Sequence, residues 1–133
     1  YDNLFGRTAE AEGVKFWADA MSAGHITIDN VVTAIATGAQ GSDKFAYGAK
    51  VDVAQAITAA IDTPAEAQAY MGASANAAVT NYIAQVKDAA TFNAAIAPAS
   101  INALIASLPG PSAAAPDDVQ LVGIAAAEPV MMF

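Results

Sequence analysis

Apolar positions along residues 1–108 recur at helical spacing, and glycine, proline and cap-forming residues punctuate them. Tyr1, Leu4 and Phe5 read as the last turns of a helix, and Gly6 supplies the left-handed exit that a helix end often requires. Thr8 is placed to cap a second helix, with Glu10 and Glu12 favouring its positive dipole end. Val14, Trp17 and Met21 form one apolar stripe along that helix before Gly24 stops it. Thr27 or Asp29 starts a third segment carrying Ile28, Val31, Val32 and Ile35, closed by Gly38. Ser42 is placed to cap a fourth helix running to Ile61, with Phe45, Val53, Ile57 and Ile61 toward the core.

The clearest start signal in the chain is the phrase TPAE. Thr63 is an N-cap, Pro64 stands at the first helical position and Glu66 completes a capping box. The fifth helix is expected to reach Lys87, burying Val79, Tyr82, Ile83 and Val86. Asp88 reads as the cap of a sixth helix with Phe92 and Ile96. Pro98 interrupts it, and Ser100 restarts a short helix with Ile101, Leu104, Ile105 and Leu108.

Beyond residue 108 the pattern changes. PGPSAAAPDD is a proline-rich linker, and Val119 to Ile124 have the β-branched content of an extended segment. EPVMMF adds further large apolar side chains. The expected organisation is therefore an all-α bundle of five to six helices over residues 1–108, followed by a proline-rich, apolar tail over 109–133. Val119, Leu121, Val122, Ile124, Val130, Met131, Met132 and Phe133 are the candidate assembly residues of that tail. It either folds back over its own helices, the favoured reading, or fills a groove on a neighbouring molecule.

Composition narrows the partners. Five basic residues face thirteen acidic ones, a formal net charge of -8, and no Lys/Arg cluster overrules that total. Nucleic acid and anionic membrane surfaces are therefore disfavoured. Charged residues make up 14% of the chain, against roughly 25% in ordinary soluble domains. Much of the 56% hydrophobic fraction is alanine, which buries little area per residue. Few charges and close-packing helices suit a protein that packs against copies of itself or against other domains. No run is long and apolar enough to span a membrane. Neither a signal peptide nor an initiating methionine opens the chain, which reads as beginning inside a longer polypeptide. Cysteine is absent, so neither disulfides nor cysteine metal sites arise.

Catalytic constellations are scarce. His25 is the one histidine, at a turn after Gly24, and a general base needs an orienting carboxylate beside a nucleophile or metal. A deep pocket joining His25 to Asp29 or Asp52 would be required for an enzyme. The acids are spread out, Asp117 and Asp118 form an adjacent pair in the linker, and no calcium, zinc, haem or nucleotide signature is present. No cofactor, metal or catalytic residue is expected. Arg7 lies among Tyr1, Phe5, Phe16 and Trp17. It is expected to stack on a ring while donating to the carbonyls left open where the first helix ends. An exposed aromatic platform (Trp17, Tyr47, Tyr70 or Tyr82) would instead suit a sugar ring.

The residues Tyr1, Leu4, Phe5, Gly6, Arg7, Glu10, Gly13, Phe16 and Trp17 match the pattern Y-x-x-L-[LF]-G-R-x-x-[DE]-x-x-G-x-x-[YFW]-W. This resembles a helical domain of formally unassigned function found in bacterial surface-layer proteins and haemolysin-type calcium-repeat exoproteins. Downstream, Lys50, Val51, Val53 and Ala54 agree with the family's N-K-V-x-V-A phrase, with Ala49 in place of the asparagine. VKDAATF is similar to its closing V-T-x-D-x-A-T-V helix. The resemblance implies a bacterial extracellular or cell-surface location and export by a type I route. Calcium-binding repeats are absent from this sequence.

Together these observations predict a non-enzymatic structural module, self-associating or docking to neighbouring domains in a surface layer, filament or adhesin. A module binding cell-surface glycan is the alternative. Within it, Gly6 turns the chain, Gly13 lets two helices approach, and Tyr1, Phe5, Phe16 and Trp17 fill the wedge. Each buried ring contributes roughly 2–3 kcal/mol.

Overall fold

A computed structural model describes residues 1–110, and everything structural below refers to them. The described residues form eight α-helices and no strand: α1 (Asp2–Phe5), α2 (Ala11–Ser22), α3 (Val31–Thr37), α4 (Gly41–Ala60), α5 (Pro64–Ala69), α6 (Ala73–Ala84), α7 (Ala89–Ile96) and α8 (Pro98–Ala106). The all-α bundle expected from periodicity is the fold found. Its helix count is higher because the stretch expected as one helix over Pro64–Lys87 is two, and the four-residue α1 and the short α8 stand as helices of their own. Gly72 takes φ 97° between α5 and α6, a region that favours glycine and ends a helical run.

Cap chemistry sets several boundaries. Thr63 accepts a hydrogen bond from the Glu66 N–H, while the Glu66 carboxylate accepts from the Thr63 N–H, so the capping box opens α5. Asp88 does the same for α7 with Thr91 as its reciprocal partner. Pro98 opens α8 itself, two residues before the expected Ser100, because its missing N–H is harmless at the first helical position. Thr8 is not the cap of α2. Residues 8–10 stay extended and Glu10 takes that position, without a side-chain cap bond. Gln40, rather than Ser42, precedes α4.

The core is built on α4. Ala49, Val53 and Ile57 meet Ala75 and Val79 of α6, Val86, and Ile101, Leu104, Ile105 and Leu108 in and after α8. Val53 and Val86 are fully enclosed. Phe92 of α7 packs at its margin and meets Phe45 edge-to-face at 6.1 Å. Phe45 itself is exposed, so the expected inward face of α4 begins at Ala46. Alanine lines much of this face, which lets the helices close around a few branched side chains. No helix among the described residues is long and apolar enough to cross a membrane. The α7–α8 pair passes such a test jointly, but it bends by 63° and buries Ile101, Leu104 and Ile105 in the bundle.

Truncating the spine of α4 should therefore be costly. Ile57→Ala is expected to lower unfolding free energy by about 2–5 kcal/mol. Ile28→Ala, on an exposed turn, should change it by no more than about 0.5 kcal/mol. Urea unfolding of both variants measures the contrast.

Candidate functional site

The N-terminal corner is organised by Tyr1. Its ring meets Phe5 edge-to-face at 5.3 Å and lies under the Arg7 guanidinium, 5.1 Å from the ring centroid. The Trp17 Nε1–H donates to the Tyr1 hydroxyl at 3.1 Å, which ties α2 to α1. Gly13 makes room for that hydroxyl: a Cβ there would stand 3.1 Å from it. The close approach expected at Gly13 is thus between a helix and a side chain. Gly6 has φ 70°, and a Cβ on it would lie 2.9 Å from the Lys87 Cβ, so both conformation and space call for glycine. Phe5 is buried and Leu4 half-buried.

Arg7 does stack on an aromatic ring, but it does not tie the carbonyls of α1. Its Nε and Nη2 donate to the two carboxylate oxygens of Asp43 at 2.6 Å each. Its Nη1 pairs with Glu10 at 2.7 Å and donates to the Thr8 carbonyl at 3.0 Å. After the left-handed turn at Gly6 the chain leads away from α1, so the guanidinium faces α4. The open carbonyl is met instead by Lys50, whose Nζ donates to the Asn3 oxygen at 2.8 Å. Lys50 is only 7% exposed. Burial pushes its ammonium pKa down, and the nearby Asp2 charge partly opposes that shift.

Sequence reasoning missed Asp43 and Lys50. A signal for Lys50 was present, because Ala46, Ala49, Lys50, Val53 and Ile57 share one helical face, which puts a lysine among buried positions. Nothing local marks Asp43 as the partner of Arg7, since the pairing spans loops and two intervening helices.

The α2–α3 region is different in kind. Neither helix buries a single residue. Phe16 is 63% exposed, Val32 60% and Ile28 75%. Phe16 therefore does not fill the wedge, and Val14 and Met21 of the expected stripe face outward. Trp17 of that stripe is half-buried, as are Ile26, Val31 and Ile35; the indole rests on Gly38 and meets Phe16 edge-to-face at 5.0 Å. α2 is anchored at the corner through Tyr1 and touches the end of α3 through Trp17 and Gly38.

Two open grooves flank Ile26 on this region. One, of about 510 Å³, is lined by Phe16, Trp17, Asp19, Ala20, Ala23, His25 and Ile26. The other, of about 490 Å³, runs along Asn30, Thr33, Ala34, Thr37 and Gly38. His25 thus shares a groove with Asp19 but with neither Asp29 nor Asp52. Asp19 is already bonded to Lys15 at 2.6 Å. Among the described residues, no three His, Asp or Glu side chains converge. Tyr47 on α4 and Tyr70 after α5 are exposed, whereas the Tyr82 hydroxyl donates to the Ala95 carbonyl at 2.8 Å and its ring is half-buried. Trp17 and Tyr70 line different grooves. Val119, Leu121, Val122, Ile124, Val130, Met131, Met132 and Phe133 lie outside the described residues.

A family model described as a domain of unknown function (DUF4214) matches residues 1–45. That stretch contains α1 to α3 and both Arg7 and Asp43, while most of the buried core lies beyond it. No curated protein and no solved structure matches the chain significantly.

The corner is acid-sensitive by construction. Hydrogen bonds from Arg7 hold the Asp43 and Glu10 carboxylates below their ordinary values of 3.8 and 4.5. Thr63 and Thr91 act likewise on Glu66 and Asp88. A depressed folded pKa adds stability that is complete above the ordinary value and is lost as pH falls through the folded one. Asp43→Asn should therefore be less stable than the parent at neutral pH, with the difference closing as pH falls below about 4 and the parent Asp43 itself protonates. Urea unfolding of the two proteins across that range checks the convergence.

Proposed function

We propose that this chain is a non-enzymatic assembly module of a bacterial extracellular protein, associating with copies of itself or with neighbouring domains through the α2–α3 face. One observation carries the reading: α2, α3 and the turn between them expose Val14, Phe16, Met21, Ile28 and Val32, and neither helix holds a fully buried residue. Contiguous exposed apolar surface on a folded domain marks an interaction site. The remainder of the surface is acidic and would keep copies apart. α3 carries no charged residue, and α2 carries Glu12 beside the Lys15–Asp19 pair. Like-charge repulsion between copies is therefore weakest across α3.

An extracellular setting, in a surface layer, filament or adhesin exported by a type I route, agrees with the cysteine-free, acidic composition and with the motif resemblance. An enzymatic role finds little support in an exposed His25 whose groove offers one acid already bonded to Lys15. A glycan-binding reading is favoured by one specific feature, the exposed Phe16 ring edge-to-face with half-buried Trp17, with Asp19 and His25 as polar neighbours in the same groove.

Sedimentation velocity over a concentration series tests the assembly reading. The parent should sediment as larger species with rising concentration, and replacing Phe16 or Ile28 with Asp should weaken association about tenfold or more. A monomer at every concentration sinks self-association. Saturable binding of purified cell-surface polysaccharide by that monomer, abolished in Phe16→Ala, would establish the glycan reading in its place.

A further inference from the structure

A second apolar cleft is lined by other helices, and none of its lining residues belongs to α2 or α3. It measures about 320 Å³ and opens between α4, α5 and α6, where Ile57, Ile61, Ala67, Tyr70, Val79 and Ile83 line it. No charged residue lines it. An occupant must therefore be neutral and aliphatic, small enough to enter as a few branched side chains.

Where the described chain ends identifies such an occupant. After α8, Leu108 is buried against the core and Gly110 lies beside α5, with a Cβ on it 3.9 Å from the Ala69 Cα. Ala67 and Tyr70 of the cleft belong to this same short stretch, so only the width of α5 separates the departure point from the cleft. That width is about 10 Å. Residues 111–118 can span roughly 26 Å when extended, ample to round the helix. The first large aliphatic side chains they lead to are Val119, Leu121, Val122 and Ile124. Asp117 and Asp118 immediately precede them in sequence and carry charge that the uncharged lining of the cleft would not satisfy.

We propose that the α4–α5–α6 cleft is the docking site of the chain's own Val119–Ile124 segment. Tethering by a short linker holds that segment at a high effective concentration beside the cleft, which favours its own chain over a second copy. Occupation would cover the exposed sides of Ile61, Tyr70 and Ile83. The assembly face on α2–α3 would remain free, so this inference stands whether or not that face self-associates.

The absence of cysteine allows a clean test in the full chain. Asp118→Cys carries a nitroxide, and methyl NMR reads Ile57, Ile61, Val79 and Ile83, with the reduced label as the reference for an intact fold. These methyls should broaden at low protein concentration, and adding Leu121→Asp should abolish the broadening. Absence of broadening, broadening confined to Ile28, Val32 and Ile35, or broadening unchanged by Leu121→Asp overturns the assignment. So does broadening that arises only in a mixture of spin-labelled and isotope-labelled chains, which would put a second copy in the cleft.

Discussion

The two-oxygen grip of Arg7 on Asp43 joins the N-terminal corner to the helix on which the core is built. Everything at the corner is referred to it. The same guanidinium covers the Tyr1 ring, and Tyr1 in turn receives the Trp17 indole N–H and touches Phe5. A planar fork matched to a carboxylate fixes orientation as well as distance, which a lysine at the same position could not do. Lys50 adds a second polar tie from α4, to the Asn3 carbonyl. The corner is therefore held by directed polar contacts around a small aromatic cluster, in which Phe5 alone is fully buried.

That arrangement follows from a shortage. The chain has many alanines and few large aliphatic side chains, and most of the latter that become buried do so around Val53, Ile57 and Val86. One well-packed layer over α4 consumes them. The α2–α3 pair is left to solvent with its apolar positions unsatisfied, and its attachment relies on Tyr1, Trp17 and the chain itself. A self-contained domain would gain by burying Phe16 and Ile28. Their exposure is the observation on which the proposed assembly role rests.

The family-model match to residues 1–45 fits this division. It includes the whole exposed pair and the Arg7–Asp43 connection but stops near the start of α4.

Much was legible from residue order alone. The helical class, the capping box at Thr63, the cap at Asp88, the turn at Gly6 and the inward side of α4 from Val53 on all depend on interactions within a few residues, and these are local properties of the chain. Helical periodicity also showed which side of α2 is apolar, but not what that side would meet. Phe16, Val14 and Met21 point to water while Trp17 turns to the corner, because α2 is tied there through Tyr1 and not placed by its own pattern. The partners of Arg7 and Lys50 were likewise invisible. Asp43 and Asn3 lie 36 and 47 positions away from them, and only packing α1 against α4 brings those charges and carbonyls within reach.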